Sequence, residues 1–525
     1  MSLLADYTTE PMSARQQIHY WVYIAGLVLL AIGMPTSTAF MTLGQSILGL
    51  NWILEGDPKV KWKRFTNNKA ALVLCSFYIM HLLGLLYTTD FNYGLEEVKK
   101  KVPLLILPFL FCTSNTITDK AKRLVLFCFM GGVTYDTFLG CYILAKHNLV
   151  DIHNISPHVS PIRLGLMIVL SVFLLCGYVF SRKWKPISFV LLAWVAWLLI
   201  FLIIMESLTG VVIGASVSIL LLIFYAVKRI KQKKVIRGIA ILSVMLIGII
   251  GATVYLNHFY EKYFPVPDKI SYGNLDKKSA SGNVYSYDSS RFVENGHYVN
   301  VYIALPELKN AWNKRSHIAF DSLDKKGNGI KYTLIRYLAS MNLRKDSIGV
   351  SKLSPADIAA IENGIPNYYF ISSKMDYRIY QVLWEIEDYK AGGDINGHSV
   401  TQRLEFWKAA VGIIKQHWLI GVGTGDVKKA FAAQYDAMHS KLKTEFRLRA
   451  HNQFLEIGVG FGIVGIIWLL FSLIYPAIEM KKFYSYAYVI FWLIFLFSTI
   501  NEDTLESQAG VTFYAFFNSF FLFIF

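Results

Sequence analysis

Side chains suited to binding anions and moving protons are concentrated between residues 402 and 456. Arg403 is followed one helical turn later by Trp407, and His451-Asn452 is followed by Glu456. A planar guanidinium binds phosphate or carboxylate oxygens through two parallel hydrogen bonds, and an imidazole exchanges protons near neutral pH. Each residue also has an ordinary explanation: Arg403 and Trp407 have the spacing of a cation–π pair on one helix face, and His451 of an interfacial histidine.

Three glycines, Gly421, Gly423 and Gly425, lie between these two groups. Their spacing completes neither a phosphate-binding loop nor a dinucleotide fingerprint. We expect them to form a tight turn, with phosphate contact through backbone N–H groups as the alternative. His417 and His439 have no acidic cluster beside them in the sequence, so we expect structural roles for both and no metal site.

The composition indicates that a membrane protein positions these residues. Hydrophobic residues make up 54% of the chain and charged residues 17%, whereas about a quarter of the residues in soluble proteins are charged. A helix needs about 20 mostly apolar residues to cross a bilayer. Runs of this kind predict transmembrane helices near residues 20–34, 37–54, 70–87, 103–114, 124–145, 162–180, 188–205, 208–227, 238–256, 454–475, 484–500 and 510–525.

Short basic clusters between the apolar runs indicate how the chain is oriented. They lie at residues 59–69, 120–123, 182–185, 228–237 and 481–482, and all fall on one side if the helices alternate from a cytoplasmic N-terminus. The net charge of +16 therefore reflects topology rather than a nucleic-acid surface. Lys99, Lys100 and Lys101 fall on the opposite side, which suggests contact with lipid headgroups or a positive surface around an anionic ligand.

A long polar stretch divides the chain into three regions. We predict an N-terminal transmembrane region over residues 1–256, a mainly helical outer domain over 257–453 and a C-terminal transmembrane region over 454–525. Ser354 and Pro355 predict a capped helix over 354–363, and further helices are expected over 375–389 and 401–417. No cysteine lies in the polar domain, so no disulfide framework is expected, and the N-terminus lacks the pattern of a cleaved signal.

The order of the motifs resembles the shared C-terminal domain of the O-antigen ligase and polymerase superfamily. That domain has the pattern R-x-x-x-W, a hydrophobic helix, G-V-G-x-G, then H-N-x-x-L-E and a glycine-rich span. Residues 402–465 contain every part in this order, and the ordered set is specific although each part alone is weak. Residues 501–510, Asn-Glu-Asp-Thr-Leu-Glu-Ser-Gln-Ala-Gly, are also similar to Bacteroidetes-type members.

This resemblance implies an all-α polytopic enzyme of the GT-C type in the bacterial inner membrane, with its active site facing the periplasm. Such an enzyme is a metal-independent inverting glycosyltransferase without a cofactor, and it moves a glycan from undecaprenyl pyrophosphate to an acceptor such as lipid A-core. His451 matches the catalytic histidine of the family, and Arg403 matches one of its phosphate-binding arginines. The remaining motif residues, which we expect to support these two, are Asn452, Glu456, Trp407, Gly423 and Gly425.

One position departs from the family pattern. A second arginine is expected in a Ser-Arg-x-Gly sequence, whereas this chain has Ser207-Leu208-Thr209-Gly210. Arg163 begins a predicted span at its outer end and is a candidate for supplying the missing charge. An anchoring role at the membrane interface is the alternative for Arg163.

Three other functions compete with ligation to lipid A-core. An O-antigen polymerase would use a second lipid-linked glycan as the acceptor, and a protein O-oligosaccharyltransferase would use a protein. A polysaccharide or lipid transporter is the alternative from a different class, and it would separate Arg403 from His451 in space. The spans contain few ionisable residues away from their ends, which favours an enzyme.

Overall fold

The computed structural model describes residues 12–146, 155–181, 183–265, 275–288, 293–370, 374–390 and 392–525. The fold is 74% helical. The described strands, β1 (Val293–Glu294) and β2 (His297–Tyr298), form one short antiparallel hairpin. The chain is an all-α polytopic membrane protein, as the composition predicts.

Nine of the eleven helices described in the first half follow the predicted apolar runs, and the other two are short helices between runs. The eleven helices are α1 (Ala14–Thr36), α2 (Thr38–Glu55), α3 (Pro58–Thr66), α4 (Lys69–Leu83), α5 (Phe91–Lys101), α6 (Pro103–Thr113), α7 (Asp119–Lys146), α8 (Pro161–Phe180), α9 (Pro186–Ile204), α10 (Leu208–Lys231) and α11 (Val235–Tyr263). A 3₁₀ turn, Gly84–Tyr87, extends α4.

The second half contains a series of shorter helices, followed by the last three apolar helices. They are α12 (Leu305–Asn313), α13 (Ile330–Ser340), α14 (Ser347–Ser351), α15 (Pro355–Glu362), α16 (Lys374–Lys390), α17 (Ser399–Gln416), α18 (Val427–Ala437), α19 (Gln453–Glu479), α20 (Tyr486–Asn501) and α21 (Gln508–Ser519). A π-helical turn, Phe520–Ile524, follows α21.

Eight helices in the described part of the chain are long and apolar enough to cross a bilayer. They are α1, α4 with its 3₁₀ turn, and α7, α8, α9, α10, α11 and α19; α20 and the helix over Gln508–Ile524 are shorter apolar helices. The predicted run 103–114 forms α6, which has 11 residues and is too short to span a bilayer alone. The eight long helices are therefore fewer than the twelve predicted spans.

The chain separates into two compact units. One unit comprises the described residues within 1–147, 153–218 and 402–525, and the other comprises those within 219–401. The second unit has its own core around Trp312, Tyr337 and Leu338, all fully buried. In α15 the predicted cap is confirmed: the Ser354 hydroxyl accepts the N–H of Asp357, whose carboxylate accepts the N–H of Ser354.

Candidate active site

Helix α17 presents one face to the backbone around His451. Arg403, Phe406 and Trp407 share that face, because residues three or four positions apart lie on one side of a helix. The Trp407 indole N–H donates to the carbonyl of Ala450 at 3.1 Å, and the rings of Phe406 and His451 have centroids 5.8 Å apart. The motif residues of α17 thus hold the segment that carries His451.

His451 has an unusual backbone conformation directly before α19. Its φ of 46° lies in the left-handed region, which non-glycine residues adopt rarely and often at functional sites. The next residue, Asn452, accepts the N–H of Leu455 at 3.0 Å and donates to the carbonyl of Ile500 at 2.7 Å. The Asn452 cap therefore joins the start of α19 to the end of α20 and fixes the residues on either side.

Two acidic residues after α20 bring the predicted arginine and histidine together. Arg403 Nη2 donates to Glu502 Oε1 at 2.6 Å. His451 Nδ1 lies 3.8 Å from Glu502 Oε2 and 3.5 Å from Asp503 Oδ1. The sequence motifs did not indicate Glu502 or Asp503, although an acidic pair between two apolar helices is a signal that could have identified them.

These carboxylates control the protonation of His451. Burial alone disfavours the imidazolium, but Asp503 and Glu502 outweigh it and raise the pKa of His451 to about 9. Burial opposes ionisation of Asp503 as well, yet His451 and Arg449 lower the pKa of Asp503 below its ordinary value. At neutral pH the site therefore holds a protonated His451 facing two carboxylates.

Arg163, at the start of α8, lies within electrostatic range of the same two carboxylates. The Arg163 guanidinium interacts electrostatically with Asp503 and Glu502, and Nη1 donates to Ser160 Oγ at 3.3 Å. The structure thus brings Arg403 and His451 to one acidic pair, and Arg163 lies near enough for its charge to act on the same pair.

Leu208, which stands where the family pattern has an arginine, begins α10 next to the end of α20. The start of α10 is held there by Asn501 Nδ2, which donates to Thr209 Oγ1 at 3.4 Å. Helices α8 and α10 approach so closely that a Cβ on Gly165 would lie 2.8 Å from Ser207 Oγ. Arg163 therefore lies on a helix adjacent to the position at which the family pattern has an arginine.

A second ionic network, more deeply buried, lies beside the first. Arg449 Nη1 is 3.2 Å from Glu456 Oε1, 3.4 Å from Glu506 Oε2 and 3.7 Å from Glu97 Oε1. Lys101 Nζ is 2.7 Å from Glu506 Oε2 and 3.2 Å from Glu97 Oε2. The network joins α5, the residues before His451, the first turn of α19 and the turn after Asp503.

The network corrects the expectation for the basic run at residues 99–101. Lys101 is only 1% exposed, so it contacts neither headgroups nor a surface ligand, and Lys100 Nζ lies 2.8 Å from Glu97 Oε1. Only Lys99 is exposed. Burial opposes the ionisation of Glu506, but the charges of Lys101 and Arg449 lower the pKa of Glu506 to about 2. This carboxylate therefore stays ionised.

The glycine-rich turn fills a break in α19. Gly462 has φ 61° and ψ −155°, which interrupts the helix and frees backbone groups on both sides of the break. The N–H groups of Ile463 and Val464 donate to the carbonyls of Trp418 and Leu419, at 2.8 and 3.3 Å. The segment after α17 therefore caps the second half of α19.

The same segment caps the first half of α19. The N–H groups of Val422 and Gly423 donate to the carbonyls of Val459 and Gly460, both at 2.9 Å. Gly421 has a φ of 69°, and a Cβ there would lie 2.3 Å from the Gly460 carbonyl carbon. Only glycine permits this approach, so the turn has a definite structural function.

Gly425 packs the turn against the start of α5. The Gly425 N–H donates to Thr88 Oγ1 at 2.9 Å. The carboxylate of Asp426 accepts the N–H groups of Thr89 and Asp90, at 2.7 and 2.9 Å. The N–H groups of Gly423 and Gly425 are thus used inside the protein, which argues against the alternative of phosphate contact.

The acidic pair also has the spacing of a cation site. His451, Glu502 and Asp503 each offer one ligand atom, and these atoms lie within 4.8 Å of one another. A cation bound there would compete with the proton on His451 and with Arg403 for the same oxygens. Arg403 and the protonated His451 already offset the negative charges of Glu502 and Asp503.

Residues 360–470 match the family model described as O-Antigen ligase. The match includes Arg403, the glycine-rich turn and His451. No curated protein matches the chain. A domain of this family implies a glycosyl-transfer enzyme of the O-antigen ligase or polymerase type, with glycan and lipid-linked substrates in general.

Proposed function

We propose that this chain, whose domain at residues 360–470 supports membership of the O-antigen ligase-like superfamily, transfers a glycan from undecaprenyl pyrophosphate to an acceptor hydroxyl. The proposed acceptor is lipid A-core, the proposed location is the periplasmic face of the bacterial inner membrane, and the proposed chemistry is inverting and metal-independent. The observation that carries the proposal is the meeting of Arg403 and His451 at Glu502 and Asp503, with the charge of Arg163 acting on the same pair.

The arginines supply the donor side of the proposed site. The pyrophosphate gains negative charge on its bridging oxygen as the sugar–oxygen bond breaks, and guanidinium groups stabilise charge of this kind best. Arg403 is held by Glu502 in the free enzyme, so donor binding exchanges a carboxylate for a phosphate. Arg163 replaces the arginine that the pattern has at Leu208.

His451 supplies the acceptor side. The acceptor oxygen bonds to the anomeric carbon as the bond from that carbon to the pyrophosphate breaks, and the bonding electron pair leaves with the pyrophosphate. The acceptor proton passes to the His451 imidazole. Because Asp503 and Glu502 raise the pKa of His451 to about 9, the neutral imidazole is a minor form at pH 7 but a stronger base than an ordinary histidine.

A reconstituted assay tests the proposal directly. Purified protein in liposomes receives lipid-linked glycan and lipid A-core, and glycan-capped lipid A and free undecaprenyl pyrophosphate are measured. We expect loss of transfer in His451→Ala, and a larger loss in Arg403→Ala than in Arg403→Lys, because a lysine keeps the charge but not the two-pronged geometry. Transfer by His451→Ala at the wild-type rate would exclude the proposed base, and a loss with chelator would exclude the metal-independent mechanism.

Deletion of the gene separates ligation from the related reactions. A ligase mutant loses capped lipid A and keeps long lipid-linked polymer, whereas a polymerase mutant carries single repeats on lipid A. Loss of glycan from proteins alone would indicate a protein O-oligosaccharyltransferase. A transporter would place Arg403 and His451 far apart, and their common contact with Glu502 favours the enzyme.

A further inference from the structure

The break in α19 coincides with a change in what surrounds the helix. None of residues 453–462, all of which the structure describes, is exposed. Beyond Gly462 the outer face opens at once, with Ile463 40%, Val464 49% and Ile467 58% exposed. Because α19 is a candidate membrane span, this apolar stripe is the face that lipid covers, and it begins at the break.

The segment that fills the break directs its own side chains outward. Trp418, Leu419 and Ile420 are 62%, 48% and 52% exposed, while their backbones are fixed by α19 and by Tyr87, whose hydroxyl donates to the Ile420 carbonyl at 2.9 Å. Neighbouring Leu86 is 82% exposed. Four large apolar side chains therefore adjoin the start of the lipid-facing stripe.

Such a patch needs a partner, because contiguous exposed apolar surface of this kind marks an interaction site. The backbone beneath it is immobilised by hydrogen bonds, so the side chains cannot fold inward. Residues 418–425 contain no charged side chain, which disfavours an acidic or basic protein partner. Tryptophan and tyrosine are enriched where hydrocarbon meets headgroups.

We propose that Trp418, Leu419, Ile420 and Leu86 form an interfacial anchor, inserted into the boundary of the leaflet nearest His451. The partner is the hydrocarbon margin of a phospholipid bilayer. The anchor fixes the depth of the break in α19, so that residues 453–461 stand above the hydrocarbon and the helix beyond Gly462 stands within it. This inference is independent of the reaction that the enzyme catalyses.

Depth-dependent photolabelling tests the anchor in the intact protein. Phosphatidylcholine nanodiscs are prepared with one protein chain per disc and one of two diazirine lipids. The shallow probe carries its diazirine near the glycerol, and the deep probe carries it at the end of the acyl chain. Tryptic fragments 416–428 and 450–481 report the anchor and α19. We expect the shallow probe to label 416–428 and 450–481, and the deep probe to label 450–481 alone.

Two variants make the result specific. Trp418→Gln is expected to reduce shallow labelling of the anchor fragment roughly tenfold, because burial of a large apolar side chain is worth about that factor. Leu323→Gln, a change at a residue that is 63% exposed in the other unit, should leave it unchanged. An anchor fragment that stays unlabelled by the shallow probe while that probe labels 450–481 would overturn the proposal. Protection that appears only when two chains share a disc would assign the patch to a second copy instead.

Discussion

At the scale of single residues, the acidic pair prepares the candidate site for an anion. Glu502 and Asp503 hold Arg403 and His451 in place before any substrate binds. Three cationic groups around two carboxylates leave an excess of positive charge when His451 is protonated. A bound pyrophosphate would meet preorganised donors rather than mobile side chains, which is the condition for strong electrostatic stabilisation.

The pH dependence of transfer distinguishes two forms of His451. If the neutral imidazole accepts the proton, kcat/KM should rise about tenfold per pH unit below the pKa of about 9 and level off above it. His451→Gln should lose about 10² to 10⁴ in kcat and show a flat profile. The measurement is initial rate against pH with donor and acceptor both well below saturation, so that it reports the free enzyme. A rate that falls as pH passes 9 would mean that the imidazolium is the active form.

Asp503→Asn tests the origin of that profile. Removal of the nearest carboxylate should lower the pKa of His451 toward its ordinary value, because the main group that favours the imidazolium is lost. The rising limb of the rate profile should therefore move to lower pH, and the plateau rate should fall because the neutral imidazole is a weaker base. Glu445→Gln, at an exposed carboxylate, is the matched control, and identical profiles for wild type and Asp503→Asn would contradict the assignment.

At the scale of helices and turns, the glycine-rich pattern is explained by backbone geometry. A helix broken at membrane depth must satisfy its freed N–H and carbonyl groups, and the segment after α17 does so on both sides of Gly462. The turn therefore joins the helix that carries Arg403 to the helix that begins after His451. Phosphate binding is not needed to account for these glycines.

Gly462→Ala should be strongly destabilising. The residue has a φ of 61°, and the new Cβ would lie 2.4 Å from the Leu419 carbonyl carbon. We expect a loss of about 1–3 kcal/mol or more, measured as a lower melting temperature in detergent. Gly248→Ala is the control, since nothing lies within 4 Å of its added Cβ and alanine favours a helix; equal melting temperatures for the two variants would contradict the role of the break.

Lys101→Met tests the buried network that joins α5 to the site. The change leaves Glu506 without its closest cation and Glu97 with Lys100 but without Lys101. Removing one partner of a buried ion pair costs about 3–5 kcal/mol. Thermal unfolding should show a marked loss of stability. Lys99→Met removes an exposed lysine of the same helix and should change stability by only about 0.5 kcal/mol. Similar unfolding curves for both variants would show that Lys101 contributes little.

The helices were predictable because their signal is local. Each of the twelve predicted apolar runs coincides with a helix, and the Ser354 cap is where the sequence places it. The distant partner of Lys101 was not predictable, because Glu506 lies 405 positions away; only the partner Glu97, four positions earlier in α5, has a local signal. The meeting of Arg403 and His451 was foreseeable only through the ordered motif, while the carboxylates between them required the fold.

At the scale of the whole molecule, the proposal requires one orientation in the membrane. The basic clusters predict a cytoplasmic N-terminus and place residues 257–453 outside, and the undecaprenyl-linked donor would meet Arg403 and His451 only on that side. The requirement concerns only one of the two compact units, because Arg163, Arg403 and His451 all belong to the unit that contains most of the spans.

Cysteine labelling in spheroplasts tests the orientation. Leu323→Cys introduces a thiol at a residue that is 63% exposed in the polar region, and Gln232→Cys introduces one in the basic loop between α10 and α11. The native cysteines are buried or half-buried, so the wild type gives the background. A membrane-impermeant maleimide should label Leu323→Cys in intact spheroplasts, but Gln232→Cys only after permeabilisation, because the basic loop is retained in the cytoplasm. The reverse pattern would place the polar region in the cytoplasm and remove the basis for transfer from a periplasmic donor.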